Sequence, residues 1–338
     1  MAPADQLGGM DVLVLGGSVF LGRAVVAEAH AAGANVTVFN RGKSGTPPDG
    51  AEQVTGDRTV REDLEQLAGR HFDVVVDTSG YVPVDVALSA KMLAPACDHY
   101  AFVSTINVFP GWPEQDDYHA GGVHQGDPDA VREDAPDDEA AAYGWLKAGC
   151  ELAVVREFGI DRSSLLRGGC VVGPDDSRVG RLPWWIARVA RGGEVLAPGS
   201  PSDVVSLIDA RDLARFALQR PTGAFEVVGE PSTRSALLEA CRAVTGSNAG
   251  FTWVDSDWLA AQDVEEWTEI PLWATGPSTF RHDAGPAAAG GLRWRPLRDT
   301  VADTWAWQQR IPGGWQAADR TPGLDPTKEA RLLATWHG

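Results

Sequence analysis

Asp11-Val12-Leu13-Val14-Leu15 runs straight into Gly16-Gly17-Ser18-Val19-Phe20-Leu21-Gly22 and then into Arg23-Ala24-Val25-Val26-Ala27-Glu28-Ala29-His30, and this junction constrains the fold more than any other stretch of the chain. A short apolar run without alternation reads as a parallel strand buried on both faces. Gly16 and Gly17 let the backbone turn tightly and, lacking a Cβ, let a pyrophosphate approach. Gly22 lets the following helix pack on the sheet while its free N–H groups face an anion. Gly16, Gly17, Phe20, Leu21 and Gly22 are accordingly expected to bind a dinucleotide. Val19 stands where the usual fingerprint has its middle glycine, and on this segment alone a plain tight turn is the other reading.

The second strand, Asn35-Val36-Thr37-Val38-Phe39, ends in Asn40-Arg41-Gly42-Lys43, where an NAD site usually places a carboxylate on the ribose 2′-OH. No carboxylate stands there. Arg41, with Lys43 beside it, can take a 2′-phosphate through charge-assisted hydrogen bonds, which favours NADP(H) over NAD(H); two solvated loop cations are the alternative. Gly56-Asp57-Arg58 precedes a helix, and Phe72-Asp73-Val74-Val75-Val76-Asp77 reads as a further buried strand ending at Thr78-Ser79-Gly80. Asn40, Arg41, Asp57, Thr78 and Ser79 thus fall at strand ends, where cofactors lie in open α/β sheets.

Tyr143 and Lys147 stand four residues apart on an expected helix, so they share one face, a turn apart. There the ammonium can approach both the phenol and a cofactor ribose. A free tyrosine, with a pKa of about 10, is a poor base near neutrality, and a nearby ammonium and an oxidised nicotinamide both favour its phenolate. Tyr143 becomes the expected proton donor or acceptor. A packed tyrosine beside a surface lysine is the bland alternative, and the glycine-rich turn upstream weighs against it.

The strand Tyr100-Ala101-Phe102-Val103 is followed by Ser104-Thr105-Ile106-Asn107-Val108-Phe109, and a later strand ends in Leu165-Leu166-Arg167-Gly168-Gly169-Cys170-Val171-Val172-Gly173-Pro174. With Tyr143 and Lys147 between them, and Leu207-Ile208-Asp209-Ala210-Arg211-Asp212-Leu213-Ala214 after them, these motifs resemble the extended short-chain dehydrogenase/reductase family, the group of NAD-dependent epimerases and dehydratases. Gly168 stands in place of the family's proline, and the resemblance covers roughly residues 10 to 220. The turn and the Asn-Arg-Gly and Gly-Asp-Arg strand ends look closest to an atypical, reductase-like branch. The resemblance implies that Thr105 holds the substrate oxygen, with Ser104 as the neighbouring candidate, and that Lys147 and Tyr143 contact the cofactor.

The same resemblance carries two departures. In the epimerases, an arginine four positions before the residue matching Asp209 holds the substrate diphosphate; here that position is Val205. In the 4,6-dehydratases, an Asp-Glu pair follows the catalytic threonine; here Ile106 and Asn107 follow Thr105. Arg178, Arg181 or Arg188 can supply a diphosphate contact from another position. The expected activity is an NAD(P)-dependent oxidoreductase acting on a carbonyl/alcohol pair of a small organic metabolite, with a nucleotide-sugar epimerase or dehydratase, or a cofactor-binding sensor without turnover, as the alternatives.

Length and charge set the rest of the expectation. The 338 residues can bury a full α/β core and a smaller lobe. The predicted fold is a doubly wound parallel, Rossmann-like sheet over residues 10–174, with 204–220 returning to it. A smaller substrate lobe over 175–203 and 221–312 follows, and then a tail over 313–338 with a short helical pattern from Thr327 to Trp336. No apolar run is long enough to span a bilayer, and Met1 to Gly9 lacks the pattern of a secretory signal. A net charge of −18, from 29 basic and 47 acidic residues, repels nucleic acid and anionic membranes alike. Cys97, Cys150, Cys170 and Cys241 are scattered, as expected of inert thiols in a reducing cytoplasm, and no metal-ligand spacing is present; His119 and His124 read as solvated loop residues. An oligomer is compatible with the sequence. The long connection over residues 110–140 is the length of a binding loop, lid or disordered segment. Trp112 and Tyr118 within it, Asn107 before it, and Trp184 and Trp185 beyond it are candidates to line the substrate site, and anchoring or core packing is the alternative for the aromatics.

Overall fold

The structure, a computed structural model, describes residues 7–177, 179–315 and 323–338. In chain order it forms β1 (Asp11–Leu15), α1 (Phe20–Ala31), β2 (Asn35–Asn40), β3 (Glu52–Thr55), α2 (Arg61–Leu64), β4 (Val74–Asp77), α3 (Pro83–Leu93), β5 (Tyr100–Thr105), α4 (Glu139–Phe158) and β6 (Ser163–Gly168). The chain continues with β7 (Cys170–Val172), α5 (Arg181–Ala190), β8 (Glu194–Pro198), β9 (Val204–Val205), β10 (Leu207–Asp209), α6 (Ala210–Leu218), β11 (Gly223–Val227), β12 (Ser232–Thr233) and α7 (Arg234–Thr245). Last come β13 (Gly250–Val254), α8 (Ser256–Ala261), α9 (Gly285–Ala289), α10 (Leu297–Gln309) and α11 (Pro326–His337). Two compact units result, one of residues up to Gly169 with Ala210–Val228 and Asp283–Arg293, the other of Cys170–Asp209, Gly229–His282 and Trp294–Gly338.

The first unit is built on a seven-stranded sheet ordered β11-β6-β5-β4-β1-β2-β3, with every pairing parallel. This is the doubly wound, Rossmann-like sheet that the sequence predicts. Val12, Leu13 and Val14 are fully buried, which is why β1 reads as unbroken apolar sequence rather than an alternation. Leu13 and Leu15 share one cluster with Phe39, Val86 and Ala90 of α3, and Cys150 and Ala153 of α4, while Val12 and Val14 point to the other face by the period of a strand. The chain leaves β1 toward β2 on one side and returns to β4 on the other, so the switch point of the topology lies beyond Leu15 and Asp77.

α4 carries the Tyr143 and Lys147 pair, and its start is capped by Asp138, whose carboxylate accepts from Ala141 N at 2.8 Å. The connection over residues 110–138 is packed onto this helix. A Cβ at Gly126 would lie 2.2 Å from Gly149 N, and one at Gly149 would lie 2.5 Å from Asp127 O, so only glycine at both positions lets loop and helix backbones touch.

The second unit has a core of its own around Leu182, Trp185, Ile186, Leu237, Leu238 and Trp273. β8 pairs with β13 and β7 with β10 in parallel, and β9 pairs with β12 in antiparallel sense.

Candidate active site

The switch point is a cradle of backbone held by side chains. Gly16 and Gly17 sit at φ +116° and +82°, and a Cβ on Gly16 would fall 2.5 Å from Thr78 Oγ1, so the turn closes against the end of β4 only with glycine there. Phe20 opens α1 at φ 35°, a left-handed value that a residue with a side chain adopts at a cost. Leu15 O accepts from Thr78 N and Thr78 Oγ1, both at 3.1 Å, and from Ser79 Oγ at 3.2 Å. From the other side, Asn40 Nδ2 donates to Gly16 O at 2.7 Å while its Oδ1 accepts from Gly42 N at 2.8 Å and Gln53 Nε2 at 3.0 Å. The side chains of Asn40, Thr78 and Ser79 therefore frame the turn. Beyond β2, the Arg41 guanidinium is mostly exposed and lies 3.9 Å from Asp57 Oδ2. Asp57 Oδ1 accepts from Thr59 N at 3.1 Å and Thr59 Oγ1 at 3.0 Å, and the Thr59 backbone contact is the main cause holding its carboxyl below the usual range.

The end of β5 faces α4. Thr105 Oγ1 donates to Asn107 Oδ1 at 2.9 Å and accepts from Asn107 N at 3.3 Å, so Thr105 and Asn107 form one small motif. A Cβ on Gly144 would lie 2.0 Å from Asn107 O; the glycine after Tyr143 is what lets the helix approach this motif. Tyr143 is 38% exposed, whereas Lys147, one turn on, is only 4% exposed. Lys147 Nζ donates to Gly80 O at 2.8 Å and to Val103 O at 2.5 Å, and lies 4.1 Å from the Phe102 ring centroid and 5.5 Å from that of Tyr81. Burial lowers the pKa of Lys147, and the carboxylates of Asp77 and Glu151 oppose that shift.

Several side chains here carry no sequence motif. Asp77, fully buried, takes Arg58 Nη1 and Nη2 at 2.8 Å each and the Tyr100 hydroxyl at 2.8 Å. Burial pushes the Asp77 carboxyl up, but the Arg58 charge and these hydrogen bonds outweigh it, and the net direction is down. The signal in the sequence was a carboxylate closing a run of buried valines. Glu151 of α4 pairs with Arg167 of β6 at 2.8 and 3.0 Å. His119 is an exposed loop residue, as expected, and His124 a half-buried one, but both have partners that the sequence does not announce. His119 packs edge-on at 4.9 Å from Phe109 and meets the buried carboxylate of Glu226, which also takes the Tyr118 hydroxyl at 2.7 Å. His124 N donates to Val108 O at 2.8 Å, and burial lowers the pKa of its ring. Trp112 packs with the cluster of Ile106, Val108, Phe109, Tyr118 and Ala148.

In the second unit, Trp185 is a core residue: it is 1% exposed and its indole N–H donates to Pro271 O at 2.5 Å, so it cannot line a site. Trp184 stacks edge-on against it at 4.8 Å. Val205 is buried in β9, and Arg188 is paired with Glu329 inside the unit. The Arg181 guanidinium sits over the Trp267 ring at 5.4 Å, and Arg178 lies outside the described residues. All four cysteines are buried thiols; burial pushes Cys97, Cys150 and Cys241 up to about 12. Among the described residues no group of three or more metal-ligating side chains occurs, and no helix is long and apolar enough to cross a membrane.

A doubly wound sheet with a glycine turn at its switch point, and a tyrosine and a lysine on a helix beside the end of β5, defines a dinucleotide-dependent enzyme class. Residues 12–221 match the sequence model of the NAD dependent epimerase/dehydratase family, and the chain belongs to that family. No curated protein matches it. Among solved structures, the epimerase Mth375 of Methanothermobacter thermautotrophicus superposes with a TM-score of 0.66 at 14% identity, covering 90% of this chain and 94% of that one. UDP-glucose 4-epimerase of Thermotoga maritima, solved with UDP-glucose, gives 0.64 at 18% identity over 89% and 99% of the two chains. The Bordetella bronchiseptica enzyme WbmH, solved with NAD+, gives 0.65 at 17% identity over 89% and 99%.

Proposed function

We propose that this member of the family is an NAD(P)-dependent oxidoreductase that interconverts a carbonyl and an alcohol on a small organic metabolite lacking a nucleoside diphosphate. The observation that carries the reading is the contrast on α4 between a partly exposed Tyr143 phenol and a buried Lys147 ammonium one turn away. The residues present fit a nicotinamide dinucleotide. The turn of Gly16, Gly17 and Gly22 offers a close backbone approach, and Ser104 Oγ is buried without a hydrogen-bond partner among the described residues, an atom that a bound ligand would satisfy. Arg41, Asp57, Ser104 and Lys147 would hold the group together with that turn, and when bound it supplies or accepts the hydride.

The protein's part is the proton and the orientation. Tyr143 gives a proton to the substrate oxygen, or takes one from it, and Thr105 with Asn107 positions that oxygen. Lys147 holds positive charge beneath the site. Replacing Tyr143 by Phe removes the proton carrier and little volume; turnover is expected to fall by roughly two to four orders of magnitude while cofactor affinity persists. Lys147→Ala is expected to damage both. A Tyr143→Phe enzyme within about threefold of wild type would remove Tyr143 from the mechanism.

The preference for a substrate without a diphosphate is supported by the buried Val205 and the internally paired Arg188, neither of which can meet a phosphate. NADP(H) over NAD(H) is supported by Arg41 at the exposed end of β2.

A further inference from the structure

Lys147 is a buried cation whose two hydrogen bonds go to backbone carbonyls, not to a carboxylate. Such a charge is costly without a counter-charge in reach. The acidic groups that face it are few. Glu151, on α4 itself, is committed to Arg167 at 2.8 and 3.0 Å. Cys150, also on α4, is a neutral thiol at ordinary pH because burial pushes it up to about 12. From β5 and the loop after β4 come only aromatic rings, Phe102 and Tyr81. The remaining groups are Asp77 at the end of β4 and Arg58 from the loop after β3.

Gly80 joins these groups. Its carbonyl accepts from Lys147 at 2.8 Å, and a Cβ on it would lie 3.0 Å from Asp77 Oδ2 and 2.7 Å from the Phe102 ring. One glycine thus separates the carboxylate from the peptide that binds the ammonium. The Arg58–Asp77 pair is oriented: Asp77 Oδ2 is the atom turned toward Gly80, and its raising effect on Lys147 exceeds the opposing effect of Arg58. Tyr100 donates to that same oxygen at 2.8 Å and Ser79 N to the other at 3.0 Å, so the carboxylate has no freedom to swing away.

We propose that the buried Arg58–Asp77–Tyr100 cluster is a positioning device for Lys147: Arg58 and Tyr100 fix the Asp77 carboxylate, which presents its charge across Gly80 and keeps the lysine charged and in place at the carboxyl end of β4. The inference deepens the proposed function and rests on it for its catalytic meaning. Asp77 is fully buried and bonded to Arg58, Tyr100 and Ser79 N. It acts through Lys147.

The chain has four lysines, Lys43, Lys91, Lys147 and Lys328, so selective isotope labelling of lysine gives four side-chain NMR signals, with Lys147 assigned by its loss in Lys147→Met. The pH titration of that signal in full-length protein is the test. Asp77→Asn is expected to lower the Lys147 midpoint by about one pH unit or more, the size of effect a close opposite charge exerts. Arg58→Met removes the opposing cation and is expected to raise it. The double variant, which removes both charges, is expected to fall between Asp77→Asn and wild type, because the effect of the carboxylate on Lys147 is the larger of the two. Tyr100→Phe keeps both charges and is expected to shift the midpoint little. A Lys147 midpoint unmoved by Asp77→Asn overturns the proposal. If that variant does not fold, Asp77→Ser, which removes the same charge, carries the test, and an unmoved midpoint there overturns the proposal equally. Failure of the functional reading looks different: wild type would bind no nicotinamide dinucleotide at any pH, while the midpoints still moved as stated.

Discussion

Arg188 Nε donates to both carboxylate oxygens of Glu329, at 2.9 and 2.7 Å, across 141 residues of sequence. The same guanidinium donates to Gly192 O and Glu194 O at 3.3 and 2.5 Å, and Glu329 Oε1 also accepts from Leu196 N at 3.1 Å. All three guanidinium nitrogens of Arg188 are thus engaged inside the second unit, where the pair ties α11 to α5 and β8. The cation is buried and its charge is matched by Glu329, which makes it a fastener of the fold.

Truncating one member leaves the other charge buried and alone, which costs about 3–5 kcal/mol. Glu329→Ala is expected to lower the urea midpoint of the full chain by that measure. A change below about 1 kcal/mol would show that water reaches Arg188 in solution.

At the end of β2, Arg41 is exposed enough to meet a 2′-phosphate, and Asp57 is near enough at 3.9 Å to orient it. A charge-assisted contact of this kind is worth about 1.5–3 kcal/mol. Wild type is expected to bind NADP(H) roughly tenfold or more tightly than NAD(H) by calorimetric titration, and Arg41→Ala is expected to erase most of that ratio. An unchanged ratio in the variant would sink the assignment.

The parts of the site legible in the sequence are those whose chemistry is local. β1 announces itself by Val12 to Leu15, the turn by Gly16 and Gly17, and the shared face of Tyr143 and Lys147 by helical spacing. What escaped reading depends on partners distant in the chain. Arg58 and Asp77 are 19 residues apart and meet only because β3 and β4 belong to one sheet. Gly126 and Gly149 show no local need for glycine until loop and helix backbones meet. Trp184 and Trp185 were equal candidates as sequence, and only packing separates the core residue from its partly exposed neighbour. His119 is exposed on its loop, and nothing nearby in sequence foretells its partner Glu226, 107 residues on.

His99 offers a test through pH. Its ring is 5% exposed and its Nε2 lies 2.6 Å from Ser164 Oγ; burial, with Arg220 and Arg162 adding to it, lowers its pKa to about 4. The native state holds the ring neutral while the unfolded chain protonates near 6.5. The unfolded state thus binds more protons between those values, and stability falls as pH drops from about 6.5 toward 4, by on the order of 3 kcal/mol from this group alone. Asp77, whose carboxyl is held below its usual range, acts only at still lower pH. Urea denaturation at pH 7, 5.5 and 4.5 is expected to show a smaller acid loss in His99→Gln than in wild type. Equal losses in the two proteins would mean that His99 protonates in the folded state.

The last prediction concerns the substrate. Phosphate recognition needs a cation that is free to face it. Val205 has no charge and is 1% exposed, paired through β9 with Ser232 of β12. Arg188 is consumed by Glu329, and Arg181 holds its guanidinium over Trp267. After Thr105 the chain places Ile106 and Asn107; Ile106 is buried and Asn107 is bonded back to Thr105, so no acid/base pair for an elimination stands there. These features favour a less charged, more apolar substrate. Calorimetric titration of the cofactor-loaded protein with UDP-, GDP- and dTDP-sugars is expected to give no binding tighter than about millimolar. Micromolar binding displaced by the free nucleoside diphosphate would reverse the preference and make this chain a nucleotide-sugar enzyme whose phosphate contact comes from other residues.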